Sequence, residues 1–200
     1  MVSKGDIVVF GSYPLSGENI SEKEPIEWLV LDKRDDKILC VSKYLLDCRP
    51  YHEALEEITW EKCTLRKWLN DVFTLVAFTA EERMKIVLSN VENPAQNTQD
   101  LVFLLSYDEA EEFLDLEHRA AKTTAYSRAQ NAWLQQEDAD NTELKENGTW
   151  WLRYYGEASE ESEGEFEFMS CVNYDGVIEP AAESVNNNSC CVRPAVWFTL

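Results

Sequence analysis

Short apolar runs carrying aromatic residues recur along the chain, and turn-forming or charged residues interrupt each one early. Ile7 to Phe10 is stopped by Gly11-Ser12-Tyr13-Pro14, while Ile26 to Leu31 and Ile38 to Ser42 flank the polar Lys33-Arg34-Asp35-Asp36-Lys37. The first pattern predicts a strand and a turn and the second a hairpin, which together make a small antiparallel sheet. With 44% hydrophobic and 12% aromatic residues and only 7 Gly and 6 Pro, the 200 residues suffice for a single domain with its own core. Disorder throughout the chain is excluded.

The periodicity changes after Thr59. Trp60, Leu65, Trp68, Leu69, Val72 and Phe73 recur at helical spacing, which predicts a helix beginning near Thr59 or Thr64. Thr79 with Glu82, and Ser106 with Glu109, have the spacing of capping boxes, in which each side chain satisfies a backbone donor of the first helical turn. A short helix is expected after each. Leu101 to Leu105 reads as a buried strand. Beyond Thr123 the texture is irregular, with Trp133 and Leu134 as apolar anchors for loops, and short strands are expected around Trp150, Phe166 to Val172, Val177-Ile178 and Val192 to Leu200. The fold class is α+β.

The 18 Lys plus Arg against 38 Asp plus Glu give a formal charge of −20, a field that repels nucleic-acid phosphates and anionic lipid heads. Neither nucleic-acid binding nor membrane insertion is expected. Ile7 to Phe10 is far shorter than a signal h-region or a membrane span, so the expected compartment is the cytoplasm as synthesised, with a phage particle or signal-independent export as other destinations. In a reducing compartment Cys40, Cys48, Cys63, Cys171, Cys190 and Cys191 are free thiols. None forms a C-x-x-C pair and only two histidines are present, so no metal or other cofactor is expected.

Six blocks in order carry a family resemblance: Pro25-Ile26-Glu27-Trp28-Leu29-Val30-Leu31, Ser42-Lys43-Tyr44-Leu45-Leu46-Asp47, Thr59-Trp60-Glu61 with Leu65-Arg66-Lys67-Trp68-Leu69-Asn70, Val102-Phe103-Leu104-Leu105-Ser106, Trp150-Trp151-Leu152-Arg153 and Val192-Arg193-Pro194-Ala195-Val196-Trp197. They resemble the signature of an uncharacterised bacterial domain family, itself similar to the C-type-lectin-like fold in the branch of formylglycine-generating enzymes and variable proteins of diversity-generating retroelements. The resemblance implies one domain over 1–200, with small twisted antiparallel sheets, two or three helices, neighbouring termini and long irregular C-terminal loops. It makes 154–191 the exposed, ligand-facing region.

Within that region Tyr154, Tyr155, Asn173, Tyr174, Asn186, Asn187, Asn188 and Ser189 are the candidate ligand-binding residues. Tyr offers large contact area at low entropic cost, and Asn and Ser adapt their hydrogen bonds. The expected ligand is a protein or a cell-surface glycan, the expected function is non-catalytic recognition, and a diversified variable protein is the specific form of that reading. Oligomeric state is not readable from sequence. Glu179-Pro180 is followed by Ala181 and not by the Asn or Asp of calcium-dependent sugar-binding lectins. The run Glu157, Glu160, Glu161, Glu163, Glu165 and Glu167 lacks calcium-loop spacing and reads as a solvated segment. His52 and His118 read as surface residues, and the Trp-Trp-Leu-Arg block and Arg193 as structural. The alternative is a cysteine- or metal-dependent oxidising enzyme related to formylglycine-generating enzymes, with Cys171, Cys190 and Cys191 in the relevant region. Carboxylates nearby would disfavour the thiolate such chemistry needs.

Overall fold

The computed structural model describes residues 2–17, 21–134, 144–154 and 167–200. In chain order the strands are β1 (Ile7–Tyr13), β2 (Glu24–Arg34), β3 (Lys37–Ser42), β4 (Asp47–Cys48), β5 (Ser89–Val91), β6 (Thr98–Asp100), β7 (Trp150–Trp151), β8 (Phe168–Val172), β9 (Ile178–Ser184), β10 (Cys191–Val192) and β11 (Ala195–Thr199). The helices are short: α1 (Thr64–Trp68), a π-helical segment (Leu69–Phe73) running into α2 (Thr74–Ala77), then α3 (Ala80–Arg83), α4 (Tyr107–Phe113), α5 (Leu116–Arg119) and α6 (Ala125–Ala129). The architecture is mixed α+β with curled, mainly antiparallel sheets.

One sheet has the order β1-β2-β3-β11 and the other β4-β10-β7-β8-β9, while β5 and β6 pair separately. The expected hairpin forms between β2 and β3, turning at Asp35, whose φ of 55° lies in the left-handed region that Asp tolerates. The first and last strands are not neighbours but opposite edges of the first sheet. Register shifts in β1 between Val9 and Ser12 and in β2 between Val30 and Asp32 are bulges, which strengthen local twist. The sheet curls until Phe10 of one edge stacks on Phe198 of the other at 4.1 Å, with Trp28 stacked on Phe10 at 4.9 Å.

Gly11 is where that curl is made. The sequence places a turn here, yet β1 continues to Tyr13, because glycine at φ +67° accommodates the bulge within the strand. A Cβ on Gly11 would lie 2.7 Å from the Phe78 ring and 2.9 Å from the Ala77 carbonyl oxygen. The Gly11 N–H donates to Glu82 Oε1 at 2.7 Å, and the other Glu82 oxygen accepts from the Thr79 N–H to close the expected capping box of α3. One carboxylate therefore both caps a helix and holds the bulge.

The helix expected from Thr59 or Thr64 begins at Thr64, with Cys63 Sγ accepting from the Arg66 N–H as its cap; Trp60 lies in the preceding turn. Ser106 and Glu109 form the expected box at the start of α4. Val102 to Leu105 are buried and Leu101 half-buried, but the run is not a strand: only Phe103 bridges to Ala195. Side chains satisfy much of its backbone instead. Asn70 Oδ1 accepts from the Leu101 and Val102 N–H groups and Asn70 Nδ2 donates to the Val102 carbonyl. Arg153 donates through its backbone to Leu105 and through its guanidinium to Leu104.

The buried cations are structural. Arg153, 1% exposed, also donates to both carboxylate oxygens of Glu109, to Asn93 Oδ1 and to the Glu92 carbonyl. Arg193 donates to the carbonyls of Ser42, His118 and Arg119 and lies 5.0 Å from the Trp150 ring centroid. Burial pulls its pKa down, and the carbonyl dipoles compensate part of the lost hydration. Among the described residues no helix is long and apolar enough to cross a membrane.

Gly11→Ala is expected to destabilise the fold by about 2–4 kcal/mol, from an unfavourable positive φ plus contact with Phe78. Arg153→Ala, which strands Glu109 and several carbonyls, is expected to cost about 3–5 kcal/mol. Urea denaturation midpoints of the two variants against the parent measure both.

Candidate functional site

The second sheet brings β8, β9 and the turn before β10 to one side of the molecule, where the segment after α6 meets them. Together they enclose an open cleft of about 300 Å³ lined by Trp133, Thr149, Asn173, Tyr174, Glu183, Asn187, Ser189 and Cys190. Four of the eight candidate residues, Asn173, Tyr174, Asn187 and Ser189, share this cleft.

Tight turns position them. Asn173 and Val177 close the β8–β9 connection, with the Asn173 N–H donating to the Val177 carbonyl at 2.8 Å. Gly176, φ +88°, packs there so closely that a Cβ would meet the Leu116 carbonyl oxygen at 2.3 Å. The Tyr174 carbonyl accepts from Asn147 Nδ2 at 3.0 Å, and its ring meets Trp133 at 5.9 Å with a 53° tilt. Trp133 is tied to the opposite wall by its N–H, which donates to the Ser189 carbonyl at 3.0 Å. The turn before β10 is organised by Asn187: its Oδ1 accepts from the Ser189 N–H at 2.8 Å and hydroxyl at 2.7 Å, and its Nδ2 donates to Glu183. Asn187 is thus occupied in holding the wall. The Thr149 and Tyr174 hydroxyls make no hydrogen bond among the described residues and remain available to a ligand.

The other candidates lie elsewhere. Asn186 and Asn188 are exposed but outside the cleft lining; Asn186 Oδ1 accepts from the Ser184 hydroxyl and Asn188 Oδ1 from Asn131 Nδ2. Tyr154 is half-buried over the Arg153 guanidinium, 5.3 Å from ring centroid to Cζ, and lines a separate cavity. Tyr155 and the acidic residues Glu157, Glu160, Glu161, Glu163 and Glu165 lie outside the described residues. None of the described candidates is buried. However, 154–191 is not all loop, because β8 and β9 run through it and Cys171, Val172 and Cys190 belong to the core.

Trp133 is the most informative residue that sequence reading misplaced. It is 45% exposed and forms a wall of the cleft, not a loop anchor in the core. A lone tryptophan in a strongly polar stretch is the available signal. Helix α6, which leads to it, is announced by Thr124 and Ser127, whose side chains form a capping box with Ser in the place usually taken by Glu or Gln.

All six cysteines are free and buried. Burial pushes the Cys40 and Cys63 thiols up to about 12, and burial together with Glu183 and Glu179 does the same for Cys171. Cys190 is raised well above its ordinary value by burial, and Cys191 by a hydrogen bond with Cys48 and by burial. These are the surroundings of inert thiols. Among the described residues no three His, Cys, Asp or Glu side chains gather so as to hold a metal ion.

The family model for a domain of unknown function, DUF6273, matches residues 35–200. The chain belongs to the DUF6273 family. No curated protein and no solved structure matches it. The match begins at the β2–β3 turn, so β1 and β2 lie ahead of the matched span while completing a sheet whose other strands, β3 and β11, lie within it. The resemblance blocks map in this DUF6273 chain onto the interior: Trp28, Leu69, Leu104, Trp150, Trp151 and Val196 are each fully buried. They describe the framework and not the cleft.

The native protein is expected to be unreactive toward a thiol reagent at pH 8 and to expose all its cysteines only on unfolding in urea, as a colorimetric thiol titration would read. Cys40, Cys63 and Cys171 keep their protons in the fold up to about 12, against 9.0 as the ordinary value. Above pH 9 the unfolded chain therefore binds fewer protons than the folded one. The thiol contribution to stability is complete below that pH and is lost as pH rises from about 9 to 12, measurable by denaturation at pH 8 and 10.

Proposed function

We propose that this protein is a non-catalytic recognition domain, a single C-type-lectin-like domain that presents the cleft between Trp133 and Tyr174 to a protein or a cell-surface glycan. The observation carrying this reading is the convergence of Asn173, Tyr174, Asn187 and Ser189 on one open cleft. Two tilted aromatic rings offer apolar faces, while Glu183 and the Thr149 and Tyr174 hydroxyls offer directional polar contacts. That combination suits a ligand with both apolar faces and hydroxyl or amide groups. In support of the C-type-lectin-like assignment, the first and last strands belong to one curled sheet and the late segment carries the cleft.

The more specific form is the variable protein of a diversity-generating retroelement. Positions open to diversification must not hold the fold, which favours Tyr174, Asn186 and Asn188 over Asn187, whose side chain organises its turn. The encoding genome tests it: an adjacent reverse transcriptase with a near-identical template repeat spanning the late segment is expected, and absence of both removes this form. The alternative, an oxidising enzyme related to formylglycine-generating enzymes, has less support because the thiols it would use are buried and raised.

Trp133→Ala and Tyr174→Ala are expected to weaken binding on a glycan array or a panel of intact bacterial cells by about tenfold each. With Trp133 exposed and Tyr174 only half-buried, each substitution should keep stability within about 1 kcal/mol of the parent. Binding that survives both substitutions, in folded protein, moves the ligand away from this cleft.

A further inference from the structure

A second cavity, of about 310 Å³, opens between the turn ahead of α1, the β5–β6 connection and the start of β8. It shares no lining residue with the cleft at Trp133. Ile58, Trp60, Pro94, Ala95 and Met169 form apolar walls, and Tyr154 closes one side. Its volume is at the lower end of the roughly 300–1,000 Å³ typical of ligand clefts, room for one large side chain.

The polar groups of the walls divide into two kinds. Arg153 and Asn93 are saturated: the guanidinium is held by Glu109 and three further acceptors, and the Asn93 side chain accepts from Arg153 and donates to Val91, Gln96 and Thr98. Neither is free to bind an anion. Glu57 and Glu61, by contrast, line the cavity without an ion pair among the described residues. The Thr59 hydroxyl, also in the lining, is shielded from solvent and has no hydrogen-bond partner. An apolar slot rimmed by carboxylates, on a chain of net charge −20, is complementary to an apolar group flanked by cations.

We propose that this cavity is a docking site for a basic peptide segment, one that inserts a single aromatic or large aliphatic side chain against Trp60 and Met169 while its Lys or Arg neighbours face Glu57 and Glu61. The apolar anchor supplies most of the affinity and the rim charges select the partner and raise the on-rate, so binding weakens with added salt without vanishing. This site does not depend on the reading of the Trp133 cleft.

The test is calorimetric titration of the full chain with three capped pentapeptides, Lys-Lys-Phe-Lys-Lys, Lys-Lys-Gly-Lys-Lys and Glu-Glu-Phe-Glu-Glu. The first is expected to bind at least about tenfold more tightly than either other. Ala95→Trp, at an exposed position on the wall, should fill the slot and abolish the preference for Phe over Gly, with a far-ultraviolet spectrum unchanged. Glu57→Lys with Glu61→Lys should lower affinity for the lysine-flanked peptide and raise it for the glutamate-flanked one. Equal binding of the Phe and Gly peptides would show attraction to bulk charge only and would overturn the proposal, as would a Phe preference indifferent to Ala95→Trp. Light scattering showing a dimer of the parent that Ala95→Trp returns to monomer would assign the slot to a second copy and overturn it equally.

Discussion

The guanidinium of Arg153 is the constraint on which the second half of the molecule depends. A buried cation without partners is strongly unfavourable, so its surroundings must converge on it. They come from three stretches: Glu109 of α4, the carbonyl of Leu104, and the Glu92 carbonyl with the neighbouring Asn93 amide oxygen. The strand just ahead of it, β7, is tied down as well, since the Trp150 indole donates to the Arg119 carbonyl and the Trp151 indole to the Arg49 carbonyl. Two chain segments with little regular structure, 92–93 and 101–105, are thereby fixed by side-chain hydrogen bonds. Asp100 plays the opposite-sign role nearby, accepting from Trp60 Nε1, Thr98 Oγ1 and Arg66 Nε and joining the helical run to β6. Polar side chains here do work that longer ladders do in larger sheets.

How much of this was legible in the sequence depended on whether the determining contact is local. The capping boxes at Thr79 and Ser106 and the β2–β3 hairpin follow from residues three to six apart, and those elements stand where the spacing puts them. Gly11 misleads because its function is set by Phe78 and Glu82, some seventy residues away, which convert an apparent turn into a bulge. Leu101 to Leu105 misleads in the same way: its apolar pattern is that of a buried strand, but Asn70 and Arg153 take the backbone groups a ladder would need. The site divides along this line too. Asn173, Tyr174, Asn187 and Ser189 could be chosen by residue type within a late polar region. Trp133 joins them through a backbone bond to Ser189 that no local pattern encodes, and Tyr154 leaves them because its neighbour Arg153 is drawn into the interior.

The family resemblance and the clefts are therefore statements about different parts of the molecule. Most apolar residues of the signature blocks form the packed interior, held by shape and hydrogen-bond satisfaction. Both cavities are walled largely by residues outside those blocks, on turns such as Asn173 to Val177 and Asn93 to Asn97. A rigid frame of this kind lets surface turns vary in sequence without altering where they are presented.

The last strands have a consequence for how the protein is made. The two-residue β10 lies between β4 and β7 in the second sheet, and β11 completes the first beside β3, with Phe103 and Ile86 bridging to it from the far side. Neither sheet can be finished until residues 191–199 have left the ribosome. Earlier segments emerge during translation with apolar strand faces that lack their partners, so final assembly waits on contacts between distant parts of the chain.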